Sequence, residues 1–182
     1  MENQKPHHIG TLSPEMALLG LLYGESGHGY DLHRKVVKDL GQVWHLSQSQ
    51  AYSILKRFEA QGDILMEEIQ QEKLPPRQLL RMTEQGRKRF LNWLETPSGG
   101  STRAIRMEFV TRLYFLAQHF PEKIPQAFNQ QRAETEKHIL RLEKSRAQLP
   151  LSQTYNRISL DMRLKQLTTV LEWLDDSQKF FG

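Results

Sequence analysis

The chain has 182 residues, 38% apolar and 25% charged, with no cysteine; this is too apolar for a disordered chain and excludes disulfide frameworks, thiolate metal sites and cysteine nucleophiles. Net charge is +4 with a pI near 9.4, but residues 1–96 hold 12 basic and 12 acidic side chains and residues 97–182 hold 13 and 9. Bulk charge therefore marks no polyanion-binding face in the first half, and only local clustering can supply one.

Residues 1–15 lack the apolar centre of a secretory signal, and His7-His8 sits in this polar tail. Ser13-Pro14-Glu15 reads as an N-cap, a first-turn proline and an acidic first-turn residue. The apolar run Met16–Tyr23 then gives a short buried helix, and 24–29 a turn. Leu32, Val36 and Leu40 recur every fourth residue in a second helix ending at Gly41. Ser47 caps a third helix that stops at Gly62.

Residues 64–69 and 78–82 are short apolar-rich runs suited to hairpin strands, joined by a turn carrying Lys73, Pro75-Pro76 and Arg77. Thr83-Glu84-Gln85-Gly86 opens a fourth helix with Phe90, Leu91 and Leu94 inward. The order α-α-α-β-β-α is that of a winged helix-turn-helix. Thr96-Pro97-Ser98-Gly99-Gly100-Ser101 reads as a linker, which sets the expected domains at 1–96 and 97–182.

The second half reads as helix almost throughout, so the fold class is mostly α. Ile105, Phe109, Leu113, Leu116 and Phe120 form one stripe, interrupted by Pro121 and Pro125. Phe128, Thr135, Leu142 and Leu149 recur every seven residues, with Ile139 between. Leu160, Leu164, Leu167, Leu171, Leu174 and Phe181 make a narrow final seam. That seam needs a partner helix, either in a second copy, as a coiled-coil homodimer, or within a bundle of the same chain.

The third helix carries the functional signal. An advance of about 100° per residue from Ala51 gathers Ile54, Leu55 and Phe58 on one arc. Ser49, Ser53 and Lys56 lie on the opposite arc, flanked by Tyr52 and Arg57. In a helix-turn-helix the first turns meet base edges, which places Gln48, Ser49 and Gln50 there; glutamine pairs with adenine and serine reaches several edges. Lys56 and Arg57, further along, and the wing's Lys73 and Arg77 suit phosphate. Glu67, Glu68 and Glu72 offset the wing's charge, so the expected grip is one or two contacts.

Leu19-Gly20-Leu21-Leu22, Gly27-His28-Gly29-Tyr30-Asp31-Leu32, the run from Tyr52 to Gly62, Pro75-Pro76-Arg77 and the run from Arg81 to Arg87 occur in order. Over roughly residues 12–95 the chain resembles the winged-helix domain of PadR-family transcriptional regulators. The second half is similar in architecture to the C-terminal dimerisation region of longer members. The resemblance implies a dimeric repressor of double-stranded operator DNA, relieved by a small-molecule effector. It implies Tyr52 and Arg77 at the DNA, with His28 to Tyr30 near its backbone. Two departures stand out: Ala51-Tyr52-Ser53 replaces a common Leu-Tyr-Pro, and Lys73-Leu74 replaces a common Gly-Arg.

No catalytic constellation assembles. His28 and Asp31 have no nucleophile elbow beside them, and neither an HExxH spacing nor a phosphate-cradling glycine loop occurs. Trp44, Trp93 and Trp173 are core anchors or ligand-cleft walls. No enzyme, cofactor or metal is expected, and with no apolar run near the roughly 20 residues that span a bilayer a soluble cytoplasmic protein is. The alternative is a winged-helix module that binds a protein and not DNA.

Overall fold

Three helices, a two-stranded hairpin and a fourth helix occupy the first half of the computed structural model, which describes residues 12–69 and 77–181. They are α1 (Glu15–Gly20), α2 (Gly29–Leu40), α3 (Gln48–Ala60), β1 (Ile64–Ile69), β2 (Arg77–Met82) and α4 (Glu84–Glu95). This is the expected winged helix-turn-helix order. The strands pair antiparallel from Ile64↔Met82 to Ile69↔Arg77. One cap differs: Ser13 makes no cap, and α1 starts after Pro14, whose carbonyl accepts the Leu18 N–H at 3.1 Å.

Helix α3 is amphipathic as its spacing predicts, with Ala51, Ile54, Leu55 and Phe58 buried. They meet Leu18, Leu19, Val36, Ile64, Leu80 and Phe90 in one core, each large side chain contributing about 1.5–3 kcal/mol through burial. Trp44 belongs to the same core.

The end of α3 fixes the course of the chain through the hairpin to α4. Gly62, at φ +75°, takes the left-handed conformation that closes a helix. Its N–H donates to the Glu59 carbonyl and that of Asp63 to the Phe58 carbonyl, both at 2.9 Å. The Asp63 carboxylate is buried and paired with Arg89 of α4. Its carbonyl accepts the Thr83 N–H at 3.0 Å, and Thr83 Oγ1 accepts the Gly86 N–H at 3.0 Å to cap α4. Gly86 is obligatory, because a Cβ there would lie 2.1 Å from the Asp63 carbonyl oxygen.

Tight Cα packing divides the chain into two units, Met1–Trp93 and Leu94–Gly182. In the second, Thr102–Ala104 (α5), a π-helical turn Ile105–Phe109 and Val110–His119 (α6) run consecutively. Pro121 breaks this rod, and Pro125 sits in the first turn of α7 (Ile124–Gln148). Helix α8 (Thr154–Gln178) returns antiparallel to α7, as the pairs Arg132–Asp175 and Arg146–Asp161 show. The final leucine seam, with Leu167 and Leu174 most deeply buried, packs on α7 of the same chain. Leu160, Leu164 and Leu171 of the seam stay half-buried and Phe181 exposed.

The segment read as a linker is partly clamped. Ser98 is fully buried; its N–H donates to Gln131 Oε1 at 2.8 Å and its carbonyl accepts from Gln131 Nε2 at 3.3 Å. Arg112 donates to its hydroxyl at 2.9 Å. Burial lowers the Arg112 pKa to about 10 against the opposing pull of Glu108, so it remains a cation at neutral pH.

Gly100 lies against His138 of α7, where a Cβ would fall 2.4 Å from the imidazole. His138 Nε2 is buried with no hydrogen-bond partner among the described residues. Burial, with Arg163 and Arg141, lowers the pKa of this group, and Glu134 opposes them. Folding therefore favours the neutral ring over the charged one. Its stabilising effect is complete above the ordinary imidazole value of about 6.5 and is lost as pH falls through the depressed value. Urea unfolding of the full chain across pH 7.5 to 4.5, values chosen to span about 6.5, is expected to show this loss, and His138→Phe to flatten it. Parallel curves for the two proteins would refute the assignment.

Candidate nucleic-acid interface

The first turns of α3 are held by a reciprocal cap. Ser47 Oγ accepts the Gln50 N–H at 3.2 Å, and Gln50 Oε1 accepts the Ser47 N–H at 2.9 Å, satisfying two of the orphan donors at a helix start. The amide oxygen of Gln50, expected at base edges, is thus engaged at home. Gln48 and Ser49 are exposed. The Ser53 hydroxyl donates to the Ser49 carbonyl at 2.9 Å, leaving its lone pairs outward.

Further along the helix the two basic residues part company. Arg57 pairs with Glu15 of α1, which also holds Arg89 at 3.2 Å. It is a strut as much as a surface cation. Lys56 instead lines a cleft of 610 Å³ with Tyr52, Arg77 and the residues from His28 to Asp31. Lys73 and the double proline lie outside the described residues.

The cleft forms where the start of α2, one face of α3 and the wing converge. Tyr52 is 38% exposed and lies so close to α2 that a Cβ on Gly29 would come within 3.0 Å of its ring. Glu68 and Gln78 complete the wall on the wing side. Two cations, Lys56 and Arg77, therefore face two anions, Asp31 and Glu68. The charged residues lining the cleft thus balance. Such a surface does not attract polyanions at a distance; it suits contacts made after shapes have fitted.

Of the lining residues, His28 to Tyr30 were expected near the DNA backbone from the resemblance alone, whereas Met66 and Gln78 carried no expectation of contact. Tyr30 stands half exposed beneath the Arg34 guanidinium, 5.7 Å from ring centre to cation. The available signal was the Gly27-His28-Gly29-Tyr30 run, in which glycines alternate with two polar aromatic residues. Among the described residues no group of three or more His, Asp or Glu side chains converges as a metal site, and no helix is long and apolar enough to cross a membrane.

Residues 18–92 match the transcriptional regulator PadR-like family, and residues 105–180 match the virulence activator alpha C-terminal family. The negative transcriptional regulator PadR of Bacillus subtilis is 28% identical over 101 residues, 56% of this chain and 55% of that protein. The alignment thus spans about half the length of that curated relative. Among solved structures, Bacillus subtilis PadR in complex with operator DNA is 21% identical at a TM-score of 0.48, over 95% of this chain and 99% of that one. A PadR-like transcriptional regulator from Bacillus cereus is 23% identical at a TM-score of 0.43, over 96% and 99%.

The cap at the start of α3 sets which residues the cleft presents. Ser47→Ala is expected to destabilise the chain by about 1 kcal/mol, read as a lower urea midpoint at unchanged slope. An unchanged midpoint would mean that packing alone sets the start of this helix.

Proposed function

We propose that this chain, a transcriptional regulator belonging to the PadR-like family, is a dimeric repressor that binds operator DNA through the first unit. One observation carries the reading: Tyr52 and Lys56 of α3 share a single cleft with Arg77 of the wing and the start of α2. A helix entering a major groove presents its N-terminal turns to base edges, here Gln48 and Ser49, with Gln50 and Ser53 beside them through the groups their local bonds leave free. Lys56 and Arg77 hold phosphate on either side, and Lys73, outside the described residues, adds a further phosphate contact. Arg57 acts mainly by bracing α3 against α1. The proposed activity is binding without a catalytic step, in the cytoplasm where the DNA is.

Dimerisation is assigned to residues 97–182. With its leucine seam turned to α7, α8 presents a second apolar face: Tyr155, Ile158 and Met162 are all exposed and fall within one narrow arc at about 100° per residue. A second copy seated there would duplicate α3 on paired half-sites, which a charge-balanced reading head needs for tight binding. For the effector, a cavity of 480 Å³ between Ile105, Arg106, Val110 and the Trp173 end of α8 has the size of a small-molecule site. Val110→Trp, which fills it, is expected to abolish ligand-induced release of DNA while leaving DNA binding intact.

The test is an anisotropy titration of the full chain on a duplex from the region upstream of its own coding sequence, across salt. Each phosphate contact contributes about 0.9 to the slope of log affinity against log salt. Lys56→Ala with Arg77→Ala is therefore expected to flatten the slope by about 3 to 4 in a dimer. Ile158→Glu should yield a monomer in sedimentation and weaken binding. Absence of salt-dependent binding would favour a protein-binding winged helix, and an unchanged slope in the double variant would remove Lys56 and Arg77 from the DNA contact.

A further inference from the structure

The wing of this protein is a hairpin of two strands, and such a hairpin is marginal alone in water. Its β1 edge continues directly from the Asp63 junction. Its β2 edge is pinned by another part of the chain. Gly27, in the connection between α1 and α2, pairs with Leu80 as an isolated bridge: the Gly27 N–H donates to the Leu80 carbonyl at 3.1 Å and the Leu80 N–H to the Gly27 carbonyl at 2.8 Å.

In an antiparallel ladder the next pair of the same kind would join residue 29 to Gln78. At Gly29, however, the chain already turns into α2, and among the described residues no backbone bond between Gly29 and Gln78 is made. An outward carbonyl on β2 would be left without its ladder donor. His28 supplies the donor instead. It is the N-cap residue of α2 with extended backbone (φ −101°, ψ 144°), and its Nδ1 lies 2.8 Å from the Gln78 carbonyl oxygen. That oxygen has no proton to give, so the ring nitrogen donates. The side chain thus continues the sheet by one rung where the backbone has left it.

Gln78 is the neighbour of Arg77, the first residue of β2 and the wing cation of the cleft. The rung therefore ends one residue from the charge that the wing carries toward Lys56. We propose that His28 is a positioning residue: through Gln78 it fixes the base of β2 against α2 and so sets Arg77 for DNA, an assignment that rests on the DNA-binding reading. Its own ring need not touch the DNA. The imidazole acts through Nδ1, and the effect reaches the ligand through Arg77.

Asparagine places an N–H close to where Nδ1 stands, whereas leucine keeps bulk and removes the donor. In the free full chain, amide exchange at Leu80 should accelerate in His28→Leu and stay near wild type in His28→Asn. On the upstream duplex, His28→Leu should weaken binding about tenfold, comparable to one lost charge-assisted contact, and His28→Asn should restore most of it. His28→Leu combined with Arg77→Ala should bind no more weakly than Arg77→Ala alone. Three results would overturn the assignment: unchanged Leu80 exchange in His28→Leu, full additivity with Arg77→Ala, or His28→Asn as weak as His28→Leu, the last meaning that the ring contacts DNA itself. Accelerated Leu80 exchange in His28→Leu, in a protein whose wild type shows no salt-dependent DNA binding at all, would sink the DNA-binding reading and the consequence for Arg77, while the rung itself stood.

Discussion

The fold of the first unit depends on the buried Asp63 carboxylate and the backbone around it. Four chain segments meet there. The end of α3 arrives through a left-handed glycine, β1 departs, Thr83 bonds back to the Asp63 carbonyl, and Arg89 of α4 neutralises the charge. An unpaired buried carboxylate is costly, so α4 must sit where Arg89 can reach it. Gly86 lets the backbones approach closely enough for this to happen. Once these hydrogen bonds and the ion pair lock α3, the hairpin and α4 to one another, the spacing between the exposed face of α3 and the base of the wing is constrained. The cleft is a consequence of that junction.

The same junction decides where the charge of this neutral unit is spent. Arg89 and Arg57 are spent on Asp63 and Glu15, holding helices together from within the surface. Their charges cancel locally and add little to the far field. Lys56 and Arg77 line the cleft, and on the proposed reading they carry the electrostatic contact. Sparse cations on a rigid frame favour fit over attraction. They also make duplication through a second copy a mechanical need of the reading.

Much of this was legible in the sequence because it rests on local chemistry. Ser47 and Thr83 mark helix starts through their hydroxyls and Gly62 a helix end through its left-handed backbone, and the period of α3 sorts Ile54, Leu55 and Phe58 from Tyr52 and Lys56. Other features were less legible, for different reasons. Gln50 and Arg57 lie on the exposed face as their period requires, yet the first turns back onto Ser47 and the second meets Glu15, 42 residues away. Ser98 looked like linker because polar residues beside glycines usually are; Gln131 and Arg112 make it core. The final leucine seam was plain, but periodicity does not say which helix covers it. His28 reaches a strand 50 residues on, a contact that no local pattern encodes.

The central claim is that the cleft joining α3, the wing base and the start of α2 is the surface that meets DNA. Amide hydrogen exchange on the full chain, free and bound to its upstream duplex, tests this most directly. The account predicts new protection confined to residues 28–31, 48–56 and 77–78 in the first unit. Protection centred on the far side of that unit, at α4 or around Tyr23, or none at all under saturating duplex, would contradict it.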